Sequence, residues 1–126
     1  MEPAIAYFVR PSARLAVVTY RTQPDFEEWL LTMERLFREP DFLPGFGILF
    51  DRSSITHPAD TVYMKRLVHF LDTKRADGTI RGWAGVVGDV ASFGMGRMAE
   101  QLTQYENSVR IFRDVTEAEA WLSSAA

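Results

Sequence analysis

Apolar residues along this chain follow two rhythms, a dense one that suits strands and a stretched one that suits helices. AIAYFVR (4–10) is rich in strand formers, RPSA (10–13) is a turn signal, and RLAVVTYR (14–21) is a second strand-like run. The two runs predict an antiparallel hairpin. In QPDFEEWLLTMERLFREPDF (23–42) the rhythm lengthens. Phe26, Trp29, Leu30, Met33 and Phe37 recur at helical spacing and define one face of an amphipathic helix. Pro24 and Asp25 mark its start, Glu27 and Glu28 suit the positive end of its dipole, and Arg35 and Arg38 suit the last turn. Pro40 stops it.

GFGILFD (45–51) reads as a buried strand and DRSSITHPAD (51–60) as a polar loop. ADTVYMKRLVHFLDTK (59–74) predicts a second helix with Val62, Tyr63, Leu67, Phe70 and Leu71 as its inner stripe. After the turn RADG (75–78), TIRGWAGVVG (79–88) is a strand with little polarity on either face. DVASFGMGRMAEQLTQY (89–105) predicts a third helix, capped by Asp89 or Ser92, with Met95, Met98, Ala99 and Leu102 inward. NSVRIFRD (107–114) alternates, with Val109 and Ile111 on one face and Ser108, Arg110 and Arg113 on the other, as an edge strand does. VTEAEAWLSS (115–124) is a last helix, with Thr116 as N-cap and Ala118, Ala120 and Trp121 on its buried side. The order is β-β-α-β-α-β-α-β-α. It implies one domain over residues 1–126, of α/β (α+β) class, with a mixed β-sheet.

Composition narrows the function classes. The net charge of −3 gives no global reason to expect nucleic acid. The absence of cysteine removes disulfides, thiolate catalysis and thiolate zinc sites together, and it suits a cytoplasmic protein. The first ten residues lack a basic segment ahead of a long apolar one, so no signal peptide is expected. No apolar stretch approaches the roughly 20 residues of a membrane span.

GMGRMA (94–99) has the Gly-x-Gly-x-x-Ala spacing of a dinucleotide fingerprint. That fingerprint needs its first glycine in the turn directly after a strand. Gly94 and Gly96 instead fall inside the third predicted helix, so close packing of that helix is expected and no cofactor. Asp51, Ser53, Ser54 and His57 lie within one loop at a strand end, yet no Gly-x-Ser-x-Gly elbow is present and no catalytic residues are expected. His57 and His69 read as a loop and a helix-surface histidine, with no metal site. Arg97 and Glu100 are spaced for an ion pair on one helix face. Lys65, Arg66, Lys74, Arg75 and Arg81 read as solvated cations.

Several stretches together resemble the STAS-like, or SpoIIAA-like, domains, the fold of bacterial anti-sigma-factor antagonists, which has a distant likeness to a family of lipid-binding domains. They are ILFDRSS (48–54), WAGVVG (83–88), SFGMGRMAEQL (92–102) and VRIFRDVTEAEAWL (109–122). The resemblance implies a mixed sheet with helices packed on it and a regulatory or binding role. In the antagonists a kinase phosphorylates a serine in an Asp-Ser-Ser-Gly loop. Here the loop reads DRSSITHPADTV (51–62), and the nearest counterparts are Ser53, Ser54 and Thr61. The resemblance therefore implies a non-catalytic interaction module, with a protein partner or a second copy in a homodimer. A carrier of a small apolar or amphipathic ligand is the alternative, its pocket lined by Tyr63, Trp83, Phe93, Met95 and Met98. The expected working edge comprises Asp51, Arg52, Ser53 and Ser54 together with Ser92, Phe93, Gly94 and Arg97.

Overall fold

The structure is a computed structural model and describes residues 2–124. Strands β1 (Ile5–Arg10) and β2 (Leu15–Tyr20) form the hairpin, joined by a 3-10 turn whose exit residue, Arg14, has a φ of 56°. Helix α1 (Phe26–Phe37), strand β3 (Phe46–Arg52), helix α2 (Thr61–Ala76), strand β4 (Ile80–Val87), helix α3 (Val90–Leu102), strand β5 (Val109–Phe112) and helix α4 (Val115–Ser124) follow. The sheet order is β1-β2-β3-β4-β5. The hairpin pair is antiparallel and the other three pairs are parallel, so the sheet is mixed as the element order predicts.

This strand order settles where the helices go. Each of α1, α2 and α3 carries the chain to the next strand in the same direction across the sheet. Crossovers of parallel strands are right-handed, so all three helices land on one face. Their side chains join Val18, Tyr20, Ile48, Phe50 and Trp83 in the larger core. Helix α4 has no further strand to reach and folds onto the opposite face. There Ala118 and Leu122 pack on Leu15, Val17, Leu49, Ala84 and Val86.

Three aspartates start the three crossover helices. Asp25, Asp60 and Asp89 accept the backbone N–H of Glu28, Tyr63 and Ser92 at 2.8, 2.8 and 3.1 Å. Each such cap stabilises its helix by about 1 kcal/mol. Asp89 rather than Ser92 fills this role in α3.

Some expected faces are corrected. In α2 the buried residues are Met64, Leu67, Val68, Leu71 and Asp72, while Val62 is exposed and Tyr63 and Phe70 are half-buried. The stripe is rotated because α2 packs against α3 as well as the sheet. Asp72 is buried there, accepting from the Thr103 hydroxyl at 2.6 Å and the Gln104 backbone N–H at 2.9 Å. In α4 Ala120 is exposed and Leu122 takes the inward position. Thr116 does not cap α4. The Asp114 side chain accepts the Thr116 N–H at 3.3 Å, so the helix starts two residues earlier than a Thr116 cap would place it. Ser108 is buried because it precedes β5, and its carbonyl accepts the Trp83 N–H at 2.8 Å.

Candidate functional site

A cavity opens at the carboxyl ends of the parallel strands, between the sheet and the crossover helices. Its floor is Tyr20, Phe50, Trp83 and Val87 from three strands. Helix α2 contributes Met64 and Leu67, helix α3 contributes Ser92 and Met95, and Pro58 and Ala59 close it from the β3–α2 loop. The empty space measures about 480 Å³, open solvent at its mouth included, and it is narrow. Open α/β sheets place ligands at this edge of the strands.

Two glycines in its wall let the Ile111 side chain pack close. Gly85 lies on the same face of β4 as Trp83 and Val87, and Gly96 faces it from α3. A Cβ on Gly96 would come within 2.9 Å of the Ile111 side chain, so this glycine lets α3 lie close against β5. A Cβ on Gly88 would come within 2.5 Å of the Ser53 carbonyl oxygen. That close approach holds the end of β4, and with it the start of α3, beside the turn that leaves β3.

The cavity surface is almost wholly apolar, and the polar atoms near it are buried. Trp83 is 3% exposed and Ser92 5% exposed, yet neither Trp83 Nε1 nor Ser92 Oγ has a hydrogen-bond partner. Arg52 Nε and the Tyr63 hydroxyl are buried without partners as well. The Arg52 guanidinium lies 5.2 Å from the centre of the Tyr20 ring, and its Nη2 reaches only the His57 carbonyl, at 3.4 Å. Tyr20 is fully buried and accepts the Trp29 indole N–H at 3.0 Å. Burial pushes the Tyr20 phenol up to about 12, against the pull of Arg52 and of the Trp29 hydrogen bond. Burial, reinforced by nearby Tyr20, also pushes Tyr63 far above its ordinary value. Asp89 lies close enough to Arg52 to feel its charge. The adjacent Ser92 side chain and backbone N–H hold its carboxyl below the usual carboxylate range, although Ser92 Oγ falls short of hydrogen-bond geometry.

The structure divides the expected working edge. Arg52 and Ser92 line the cavity. Asp51 is turned to the turn beyond β3, where it accepts both the backbone N–H and the hydroxyl of Ser53 at 3.0 and 2.6 Å. Ser54 and Thr61 are exposed. Phe93 and Arg97 line a separate groove against Arg110 and Phe112 of β5, and Gly94 is exposed, with open space where a Cβ would stand. Arg97 pairs with Glu100 at 2.9 Å, and Glu100 also accepts the Ile111 N–H, blunting the β5 edge. Of the five pocket residues expected for a carrier, Trp83 and Met95 line the cavity. Sequence reasoning missed Gly85, Met64 and Ala59. A glycine between two large residues of a buried strand was the available signal, since it marks a gap or a close approach.

Other candidate chemistry does not assemble. Ser53 spends its hydroxyl on Asp51, and His57 offers Arg52 only its carbonyl. Among the described residues no group of three or more His, Asp or Glu could hold a metal ion. The basic residues part company: Arg66 lies 4.1 Å over Phe26, Arg75 lies 5.5 Å over Tyr105, and Arg81 donates to the carbonyls of Arg14, Gly45 and Leu122. No described helix is long and apolar enough to cross a membrane.

Fold and cavity together define a class: an α+β domain with a mixed five-stranded sheet and a narrow apolar cavity at the carboxyl edge of its parallel strands. In comparisons with known proteins, no family model, no curated protein and no solved structure matches the chain.

Proposed function

We propose that this chain is a STAS-like domain of the cytoplasm that holds a small apolar or amphipathic ligand, without acting chemically on it. The observation that carries this reading is the cavity itself. Well-packed cores leave few voids larger than a water molecule. This one is lined by aromatic and methionine side chains, opens to solvent, and has Arg52, Trp83 and Ser92 in its wall. Small-molecule sites combine these features: a concave apolar body and a few polar groups that orient the occupant.

Xenon tests the cavity, because it enters dry apolar spaces. Under xenon pressure the methyl resonances of Met64, Met95 and Ile111 are expected to shift, while those of Leu122 on the opposite face stay put. Equal shifts, or none, would overturn the reading. Native mass spectrometry of protein purified gently from its own host then looks for a co-purifying small adduct that disappears on denaturation.

The interaction-module reading rests on a different observation. Helix α4 covers only part of its face of the sheet, and Phe8 on β1 is 52% exposed there, opposite Val17. A second copy seated on this apolar surface is the partner this reading takes. Sedimentation of the wild type against Phe8→Glu separates the readings: a dimer that the substitution dissolves supports self-association, and a monomer in both speaks against it.

A further inference from the structure

We infer that a second copy of this chain pairs with the first edge to edge, β1 against β1 in antiparallel register, so that the two sheets become one. The inference rests on the self-association reading above and adds where and how the copies meet.

The two edges of the sheet differ. The β5 strand has four residues, and the Glu100 side chain accepts its Ile111 N–H, which blunts that edge. The β1 strand has six residues, IAYFVR, with its one charge at the end and proline only outside it, at Pro3 and Pro11. Its ladder to β2 decides which backbone groups are left over. The Ala4 carbonyl accepts the Arg21 N–H at 2.7 Å, and the pairing alternates from there with Ile5 opposite Tyr20. Ala6, Phe8 and Arg10 turn their N–H and C=O groups toward β2. Those of Ile5, Tyr7 and Val9 point out of the sheet, where no described strand takes them. Such an edge is a template for another strand.

Helix α1 selects the occupant. It returns from the end of β2, which is antiparallel to β1, so it runs beside β1 in the same direction. A groove lies between them, with Ile5 and Tyr7 on one side and Glu27, Glu28, Leu31 and Arg35 on the other. Glu27, Leu31 and Arg35 form one row along the helix. The row is acidic at its start, apolar in the middle, where Leu31 is 54% exposed, and basic at its end. None of the ion pairs among the described residues uses Glu27, Glu28 or Arg35. A two-fold axis perpendicular to the sheet reverses this row in the second copy. It sets Glu27 and Glu28 toward the partner's Arg35 and brings the two Leu31 side chains toward each other near the axis. A symmetric interface needs this self-complementarity. On the other face of the sheet, the exposed Phe8 comes beside the partner's Ala6. A peptide of uniform charge would also satisfy the backbone edge, but it would meet repulsion at one end of the row.

The test is sedimentation and amide hydrogen exchange on the whole wild-type protein, across concentrations from micromolar to millimolar. A dimer is expected. As it forms, the amides of Tyr7 and Val9 should slow to the exchange rates of Ala6 and Phe8, and on dilution they should become fast again. Arg35→Glu sets like charges together and should weaken the dimer about ten-fold. Adding Glu27→Arg to it should restore most of the loss. A dimer whose Tyr7 and Val9 amides stay fast overturns the edge pairing, while self-association through the Phe8 face stands. An Arg35→Glu dimer as tight as the wild type overturns the charge match that selects a second copy. A monomer at every concentration overturns both the pairing and the self-association reading. The exchange comparison on the wild type decides the matter even where a variant does not fold.

Discussion

Tyr20 joins three parts of the molecule through one side chain. It ends β2, accepts from Trp29 of α1, and lies under the guanidinium of Arg52 at the cavity. Its burial has a consequence at high pH. The unfolded chain ionises this phenol near 10, whereas the folded chain holds its proton to about 12. The folded state therefore binds more protons in that interval, and stability falls as pH rises. The contribution is complete below about pH 10 and is lost as pH rises toward 12, up to roughly 2–3 kcal/mol. Tyr63, raised in the same direction, adds to the slope. Urea unfolding across this range is expected to show Tyr20→Phe less stable than wild type at neutral pH by about 1–2 kcal/mol, through the lost acceptor for Trp29. The same variant should decline less steeply above pH 10. An identical slope in both proteins would contradict the burial argument.

Among the elements, α3 shows most clearly how neighbouring positions serve different ends. Gly94 and Gly96 are two residues apart in the same helix. Gly94 faces open space, while Gly96 is buried against Ile111. An alanine at position 94 gains helix propensity and meets nothing, so Gly94→Ala is expected to raise stability by about 0.5–1 kcal/mol. An alanine at position 96 gains the same propensity but forces α3 away from β5, and overpacking of this kind costs about 1–3 kcal/mol. Thermal melts of the two variants should move in opposite directions. If both rise, the close approach of α3 to β5 is not what this glycine serves. The dinucleotide-like spacing thus reflects the packing of one helix face.

In the molecule as a whole, the two faces of the sheet are unequally protected. Three helices cover one face, and α4 alone holds the other through Ala118 and Leu122. Leu122 is fully buried, and its carbonyl accepts from Arg81 at 2.6 Å. A helix held by so few buried side chains opens at lower free energy than the rest. In native-state hydrogen exchange, the amides of α4 are expected to exchange ahead of those of α1, β3 and β4. Leu122→Ala should cost about 2–4 kcal/mol through the cavity it leaves and should accelerate exchange in α4 first. Uniform exchange across all helices would contradict this division.

The order of strands and helices was legible from the chain because it rests on local causes. Apolar spacing chose helix or strand, and Asp25, Asp60 and Asp89 set three helix starts within a few residues of themselves. The mixed sheet followed, because a hairpin and helical crossovers admit few other arrangements. Which side of each helix turned inward was less legible. Val62 belongs to the apolar pattern of α2 yet is exposed, since α3 and the Asp72 clamp rotate that helix. The candidate site was legible only at Arg52, Trp83, Ser92 and Met95. The cavity wall depends on Ile111 packing against Gly85 and Gly96 and on Gly88 meeting Ser53, all pairs distant in sequence. No local propensity encodes such a gap. It is the volume left over when separate elements pack at distances that their smallest residues allow, and only the tertiary structure decides it.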